Sequence, residues 1–361
     1  MIRTYTYKIK PNNKLHQKFV EWSGVCRLIY NLAISSREEA FKKGVRKNYY
    51  DLAKELTELK QDNEWMYEVS AQTQQAMLEQ LEEGYKKFFT DLKRGVKASK
   101  PKYMSKKRQK SIPFKSTKTT HNAFKLPKFG IVKVFKFKPP KGELKTARII
   151  KEVDGLYLKV VVKKEPKETV RENQSAVALD MGVRYFLTTS YGEFVENPKH
   201  LFKRLKELRV QRRKLSRMKK FGSNWNKQVK VIQKLHLKVR RSRMDFLHKE
   251  STKLSKEYGN VIVEDLNIKG MSKNTKLSKH ILDCGWGIFF ELLNYKTNLI
   301  KVDAKYTSQT CSSCGHVSKE NRKTQSHFEC VECGYIENAD KNASNNIFQR
   351  GQTLMEANVN H

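Results

Sequence analysis

Residues 261–270 read VIVEDLNIKG. Val261, Ile262 and Val263 have the length and β-branched content of a short buried strand. The run then ends in two acids, Glu264 and Asp265. The surrounding chain of 361 residues carries 74 Lys and Arg against 37 Asp and Glu, a formal net charge of +37. Carboxylates at the end of an apolar strand run against that balance and call for an explanation. Working outward, SAVALDMG (175–182) is a second apolar strand that ends in an acid, Asp180, and LIKVDA (299–304) is a third short strand. FLTTSYGEFV (186–195) reads as strand, turn and strand. Residues 199–258 read as two long basic helices broken at Gly222-Ser223-Asn224, and ILDCGWGIFFELLNYK (281–296) as one amphipathic helix. A short helix, NASNNIFQR (342–350), closes the chain. Strands alternating with helices predict an α/β sheet domain.

The N-terminal half has a different pattern. Residues 2–10 alternate as a strand, and Phe19, Trp22, Cys26, Ile29, Tyr30 and Ala33 then recur at helical steps, as do Met77, Leu78, Leu81, Tyr85 and Phe88. Residues 93–118 are dense in Lys, Arg and Ser and read as a basic linker or loop; IVKVFKFK (131–138) and LYLKVVVKK (156–164) return to strand alternation. This half is expected to be a β-barrel or sheet interrupted by a helical insertion.

An excess of cations on this scale destabilises a compact chain by self-repulsion unless a polyanion neutralises it. No apolar run approaches the ~18 residues of a membrane span, and MIRTYTYKIK lacks the apolar core of a signal peptide. The expectations are a cytoplasmic protein associated with the nucleoid, no membrane partner, and nucleic acid as the counter-charge. In a reducing compartment disulfides are not expected. Cys26 and Cys284 stand alone and read as small buried hydrophobes. Cys311-x-x-Cys314 and Cys330-x-x-Cys333 are separated by fifteen residues, and each pair is followed by glycine, Gly315 and Gly334. Two thiolates three residues apart can grip one tetrahedral ion, and four leave no open position, so the pattern predicts one structural zinc. His316 and His327 are read as surface residues.

Asp180 and Glu264 end strands, and Asp340 begins the last helix. Strands that stop at one edge of a sheet can bring their last side chains together, and a helix packed on the sheet can add a third. Three converging carboxylates repel one another unless cations intervene, and Mg²⁺ or Mn²⁺ suits oxygen donors. Two such ions about 4 Å apart would activate water against a phosphodiester. Each acid also has an ordinary reading: a turn with Gly182 for Asp180, pairing with a surface lysine for Glu264, a helix N-cap for Asp340. Their occurrence together, beside a four-cysteine module in so basic a chain, favours the metal site. Asp265 points to the opposite face of a strand from Glu264.

ALDMGVRYF (178–186), VIVEDLNIKGM (261–271), YTSQTCSSCGH (306–316), FECVECGY (328–335) and ADKNASNNI (339–347) resemble the successive signatures of the TnpB family, transposon-encoded RNA-guided nucleases related to miniature type V CRISPR effectors. YTYKIKP (5–11), CRLIYNLAI (26–34), GYKKFF (84–89), LPKFGIVKV (126–134) and RRSRMDFLHK (240–249) follow in family order. The resemblance implies a RuvC-like, RNase H-type nuclease over 171–305 and 338–361 with an inserted zinc ribbon over 306–337 that binds the target nucleic acid. It also implies a wedge β-barrel over 1–14 and 119–170, with a helical recognition insertion and basic linker over 15–118. Asp180, Glu264 and Asp340 would be the catalytic triad holding magnesium, with Cys311, Cys314, Cys330 and Cys333 holding zinc. The partners implied are a guide RNA from the element's own end and a target DNA duplex read beside a short motif. A monomer is expected, with a dimer as the alternative. Two features depart from the family: the connection after Lys296 is short, and Asn338 stands where an acid is frequent.

The helices carry KRLKELRVQRRKLSRMKK (203–220) and KLHLKVRRSR (234–243) with almost no offsetting acids, so pairing along the helix cannot account for the charge. Arg212, Arg213, Arg240 and Arg241 are the candidates for phosphate contact. In SAQTQQ (70–75), Gln72 or Gln75 has the side chain to read an adenine edge, though an ordinary polar helix face has the same composition. A guided endonuclease, a guided DNA-binding repressor and a strand-joining transposase all fit the charge and the cysteines. The intact triad argues against the repressor, and a zinc module just before the last acid argues against the transposase.

Overall fold

The computed structural model describes residues 2–164, 174–273 and 277–359. The chain divides into two units, Met1–Glu168 and Thr169–His361. The expected boundary at 170/171 lies outside the described residues.

The first unit opens with β1 (Ile2–Lys8), followed by α1 (Asn13–Lys42), α2 (Tyr49–Gln61) and α3 (Ala71–Lys93). Asn12 starts α1 by accepting the Leu15 N–H at 3.0 Å, and Asn48 with Asp51 forms a capping box on α2. Each satisfies N–H groups that the first turn leaves without partners. The helices bury Phe19, Trp22, Cys26, Ile29, Met77, Leu78 and Leu81. Each side chain of that size contributes roughly 1.5–3 kcal/mol when removed from water. Burial pushes the Cys26 thiol up to about 12, so it packs as a small hydrophobe.

The strands that follow are β2 (Ser111–Phe114), β3 (Lys118–Thr120), β4 (Ala123–Leu126), β5 (Gly130–Lys133), β6 (Glu143–Glu152) and β7 (Gly155–Lys163). They form a four-stranded sheet in the order β1-β7-β6-β2 and a three-stranded sheet β3-β4-β5, both antiparallel. One bridge, Ile9 to Val134, links the two, and both feed one core. The basic segment 93–118 is not wholly a linker, because β2 pairs with β6 and buries Ile112 and Phe114. Pro113 is tolerated there because β2 is an edge strand, where a missing N–H breaks no ladder.

The second unit contains β8 (Ala176–Met181), β9 (Tyr185–Thr189), β10 (Phe194–Glu196), α4 (Leu205–Ser216), α5 (Ser223–Glu257) and β11 (Asn260–Glu264). After these come α6 (Ile268–Met271), α7 (Ser278–Cys284), α8 (Trp286–Lys296), β12 (Asn298–Val302), β13 (His327–Glu329), β14 (Ile336–Asn338) and α9 (Ala339–Val359). The main sheet runs β10-β9-β8-β11-β12, with β8, β11 and β12 parallel and β9 and β10 antiparallel. This is an α/β arrangement, a mixed five-stranded sheet with helices against both faces. Val177, Leu179, Val261 and Val263 face α5, α7 and α8, whereas Ala178, Ile262 and Val302 face Ile347 of α9.

Two helices differ from expectation. The segment 281–296 is broken at Gly285, whose left-handed φ of 74° ends α7 and starts α8. The last helix has 21 residues rather than one short stretch, because its apolar side is completed by the sheet and not by its own sequence. Gly351 lets α9 press on β11: a Cβ there would lie 2.5–2.7 Å from the side chain of Ile262. Gly351→Ala should therefore cost about 1–3 kcal/mol, visible as a lower Tm; an unchanged Tm would mean that α9 does not press on the strand.

Candidate active site and four-cysteine centre

The register of the parallel strands places the first two acids. Val263 pairs with Leu179, so Glu264 and Asp180 follow side by side on β11 and β8. Side chains alternate along a strand. Asp180 therefore shares the face of Ala178, and Glu264 that of Ile262, which is the face that α9 covers. Asp340 lies in the first turn of α9. The three acids of the sequence reading thus come together at one sheet edge.

Their environment shows in their acidities. Burial, reinforced by repulsion from Glu264 and Asp340, pushes the Asp180 carboxyl up to about 8, against the pull of Arg322. Burial also raises Glu264, opposed by a hydrogen bond from Thr307 and by Arg350. Asp340 is raised by burial and held back by Arg322 and Arg184. The Thr307 hydroxyl donates to Glu264 Oε1, and Arg322 lies 3.4 Å from Asp340 Oδ1. Among the described residues, only the four cysteines have donor atoms all within 4.8 Å of one another. The three carboxylates do not meet that spacing, and Thr307 and Arg322 each hold one of them.

Two ordinary explanations of the acids fall to neighbouring residues. The surface lysine pair belongs to Asp265, whose exposed carboxylate sits 2.8 Å from Lys301, while Glu264 is only 8% exposed. The N-cap of α9 is Asn338, whose Oδ1 accepts from the N–H groups of Asp340 and Lys341 at 2.9 and 3.3 Å. Asp340 is thereby released from capping, and an acid at 338 is not needed for it.

The cysteines form two knuckles. Gly315 N–H donates to the Cys311 carbonyl and Gly334 N–H to that of Cys330, with both glycines at positive φ. Cys311 and Cys333 sulfurs are 3.7 Å apart, and those of Cys314 and Cys330 3.6 Å. Four sulfurs about 2.3 Å from a tetrahedral ion would be separated by about 3.8 Å, so the cluster fits a metal ion. The Cys330 thiol falls to about 6: burial opposes this, but the Cys333 and Glu332 N–H groups and the neighbouring thiols outweigh it. His316, half-buried, and His327, exposed, both lie outside the four-sulfur set.

Thr307, Arg322, Asn342 and Asn346 were not singled out by the sequence reading, and Asn338 was noted there only as standing where an acid is frequent. Asn342 and Asn346 are one helical turn apart in NASNN, a spacing that signals a shared face; Thr307 and Arg322 give no local signal, since their partners lie 43 and 18 residues away.

The proposed nucleic-acid contacts are all solvent-facing. Gln72 and Gln75 are exposed, whereas Thr73 and Gln74 between them are buried and bond the Pro113, Met66 and Val69 carbonyls. Arg212, Arg213, Arg240 and Arg241 are exposed on α4 and α5, with Arg212 3.4 Å from His236.

A carboxyl with a folded pKa above its unfolded value binds more protons when folded, so its contribution to stability is lost as pH rises. Without added divalent cation, the chain should lose stability between the ordinary value of 3.8 and about 8 on account of Asp180. Asp180→Asn should flatten that part of the Tm-against-pH curve, and an unaltered slope would contradict the burial argument.

The chain is similar to several known proteins. Residues 159–275 match the OrfB_IS605 family, described as "Probable transposase", and 286–347 match "Cas12f1-like, TNB domain". Residues 1–46 match a family described as "Helix-turn-helix domain", although the structure there is β1 followed by the single helix α1. The chain is 30% identical over 382 residues to "Putative RNA-guided DNA endonuclease InsQ" of Escherichia coli, covering 98% of this chain and 93% of that one. It is 28% identical to "Putative RNA-guided DNA endonuclease" of Streptomyces pristinaespiralis, covering 97% and 89%. Against the "CRISPR-associated endodeoxyribonuclease Cas12f1" of Sulfoacidibacillus thermotolerans it is 27% identical, over 53% of this chain and 49% of that one. End-to-end likeness at this level, with the motifs in order, establishes that the chain belongs to the TnpB family.

Proposed function

We propose that this protein is an RNA-guided DNA endonuclease of a transposable element, in which Asp180, Glu264 and Asp340 hold two Mg²⁺ or Mn²⁺ ions and cut target DNA beside a short motif. The observation that carries the proposal is the register that sets Asp180 beside Glu264 on the face covered by α9. Full-length similarity to relatives named as RNA-guided DNA endonucleases supports it. When bound, the cations supply an activated water and stabilise the leaving oxygen of a phosphodiester. The chain's own residues present hard oxygen donors at a half-buried edge, with Thr307 orienting one oxygen of Glu264. Arg322 counters the charge of Asp340 until a cation does so.

In this reading the four-cysteine cluster holds one structural zinc, in a ribbon over 306–337 that engages the target nucleic acid. The first unit supplies the wedge barrel over 1–14 and 119–170 and the recognition insertion with its basic linker over 15–118, where Gln72 or Gln75 reads a base edge. Residues 171–305 and 338–361 form the nuclease, and Arg212, Arg213, Arg240 and Arg241 contact guide phosphates. Between Glu207 and Asp245 the chain has no acid, which suits recognition of backbone and shape rather than base sequence. The protein would act as a monomer in the cytoplasm. No described helix is long and apolar enough to cross a membrane.

Asp180→Ala, Glu264→Ala and Asp340→Ala should each abolish cleavage of a guide-matched duplex and leave RNA and target binding intact, with double variants no worse than single ones. Asp265→Ala should cleave at a near-normal rate. Cleavage by all four variants would remove the assignment. The description "Probable transposase" favours a second reading, strand joining; joined products from purified protein would select it, and cut ends alone would exclude it.

A further inference from the structure

A continuous set of hydrogen bonds ties the first cysteine knuckle to Glu264 and to the helix that bears Asp340. On α9, Asn342 donates to the Thr310 carbonyl at 2.8 Å and accepts the Ser312 N–H at 2.9 Å. One turn later, Asn346 donates to the Thr307 and Thr310 carbonyls at 2.9 and 2.7 Å, and Gln349 reaches the Ser312 carbonyl at 3.1 Å. Both asparagines and Thr307 are buried. The Thr307 hydroxyl then donates to Glu264 Oε1. Three side chains of the helix that bears Asp340 thus grip the segment leading into Cys311, and the first residue of that grip orients Glu264.

We propose that Thr307, held by Asn346, is a positioning residue through which metal occupancy of the cysteine cluster sets the orientation of Glu264, and hence the affinity of the carboxylates for their divalent cation. The proposal rests on the reading of Asp180, Glu264 and Asp340 given above. Cys311 N–H bonds the His316 carbonyl and its own carbonyl accepts from Gly315, so the knuckle is a closed loop whose entry is the Thr310 peptide. An ion gripping Cys311 and Cys314 fixes that loop. The Thr310 carbonyl, on which both asparagines converge, is held with it. Threonine suits the role because its β-branch restricts χ1, so the backbone held by Asn346 dictates where the hydroxyl points. A buried carboxylate oxygen that loses this donor is left short of a partner and reorients.

The test measures Mn²⁺ half-saturation in two ways on the full-length chain: by electron paramagnetic resonance of free Mn²⁺ on RNA-free protein, and from cleavage by the guided complex. Thr307→Val should raise both constants by roughly 10-fold or more, with cleavage recovering at saturating Mn²⁺ and target binding unchanged. Thr307→Ala, which adds no apolar branch beside the carboxylate, should give the same shift, and Thr307→Ser, which keeps the donor without the β-branch, should fall between the unaltered chain and Thr307→Val. Cys311→Ser should raise the same constants, and adding Thr307→Val to it should change them little further, since coupled residues are non-additive. Unshifted constants in Thr307→Val and Thr307→Ala, alongside a raised constant in Glu264→Ala, overturn the relay and leave the carboxylate reading standing. Full additivity with Cys311→Ser overturns it as well. Unaltered Mn²⁺ binding by Glu264→Ala would overturn both.

Discussion

The second unit is organised around the repulsion between Asp180 and Glu264, which parallel pairing of β8 and β11 sets next to each other. Buried carboxylates side by side are costly unless protonated or matched by cations. The flanking strands are correspondingly apolar: Val177 to Leu179 and Val261 to Val263 are fully buried. Their burial on both faces supplies the favourable free energy that offsets the strained edge. The same burial keeps water from screening the charges, which suits the edge to the cations proposed for it.

The remaining elements adapt to that edge. Helix α9 covers the acid-bearing face and can approach because residue 351 is glycine. Its first turn is capped by Asn338, so Asp340 faces the other acids. Arg322 and Thr307, both from the segment around the cysteine knuckles, each take one carboxylate. The cysteine module is therefore an organiser of the acidic edge as well as a candidate surface for nucleic acid.

Much of this was legible in the sequence. The apolar runs before Asp180 and Glu264 marked strands, and the paired CxxC motifs with following glycines marked the knuckles. These are local signals, set by strand periodicity and turn chemistry. The split of 281–296 at Gly285 was missed because an isolated glycine within an apolar helical pattern does not announce a left-handed conformation. The full length of α9 was missed because its stability comes from β8 and β11, far away in sequence. β2 was hidden by the lysines around it, and only its pairing with β6 makes it a strand. Thr307 and Arg322 could not be read at all, since nothing in their neighbourhood names a partner.

The formal charge of +37 and the acidic edge are complementary features. In the proposed function, the cations attract a polyanion over a wide surface, and a few carboxylates hold metal where its backbone is cut. Anomalous diffraction from the guide- and target-bound protein in Mn²⁺ tests this account most directly. It predicts Mn²⁺ coordinated by Asp180, Glu264 and Asp340, with that density lost in Asp180→Ala. A cleavage-competent complex whose Mn²⁺ lies away from these three carboxylates would contradict it.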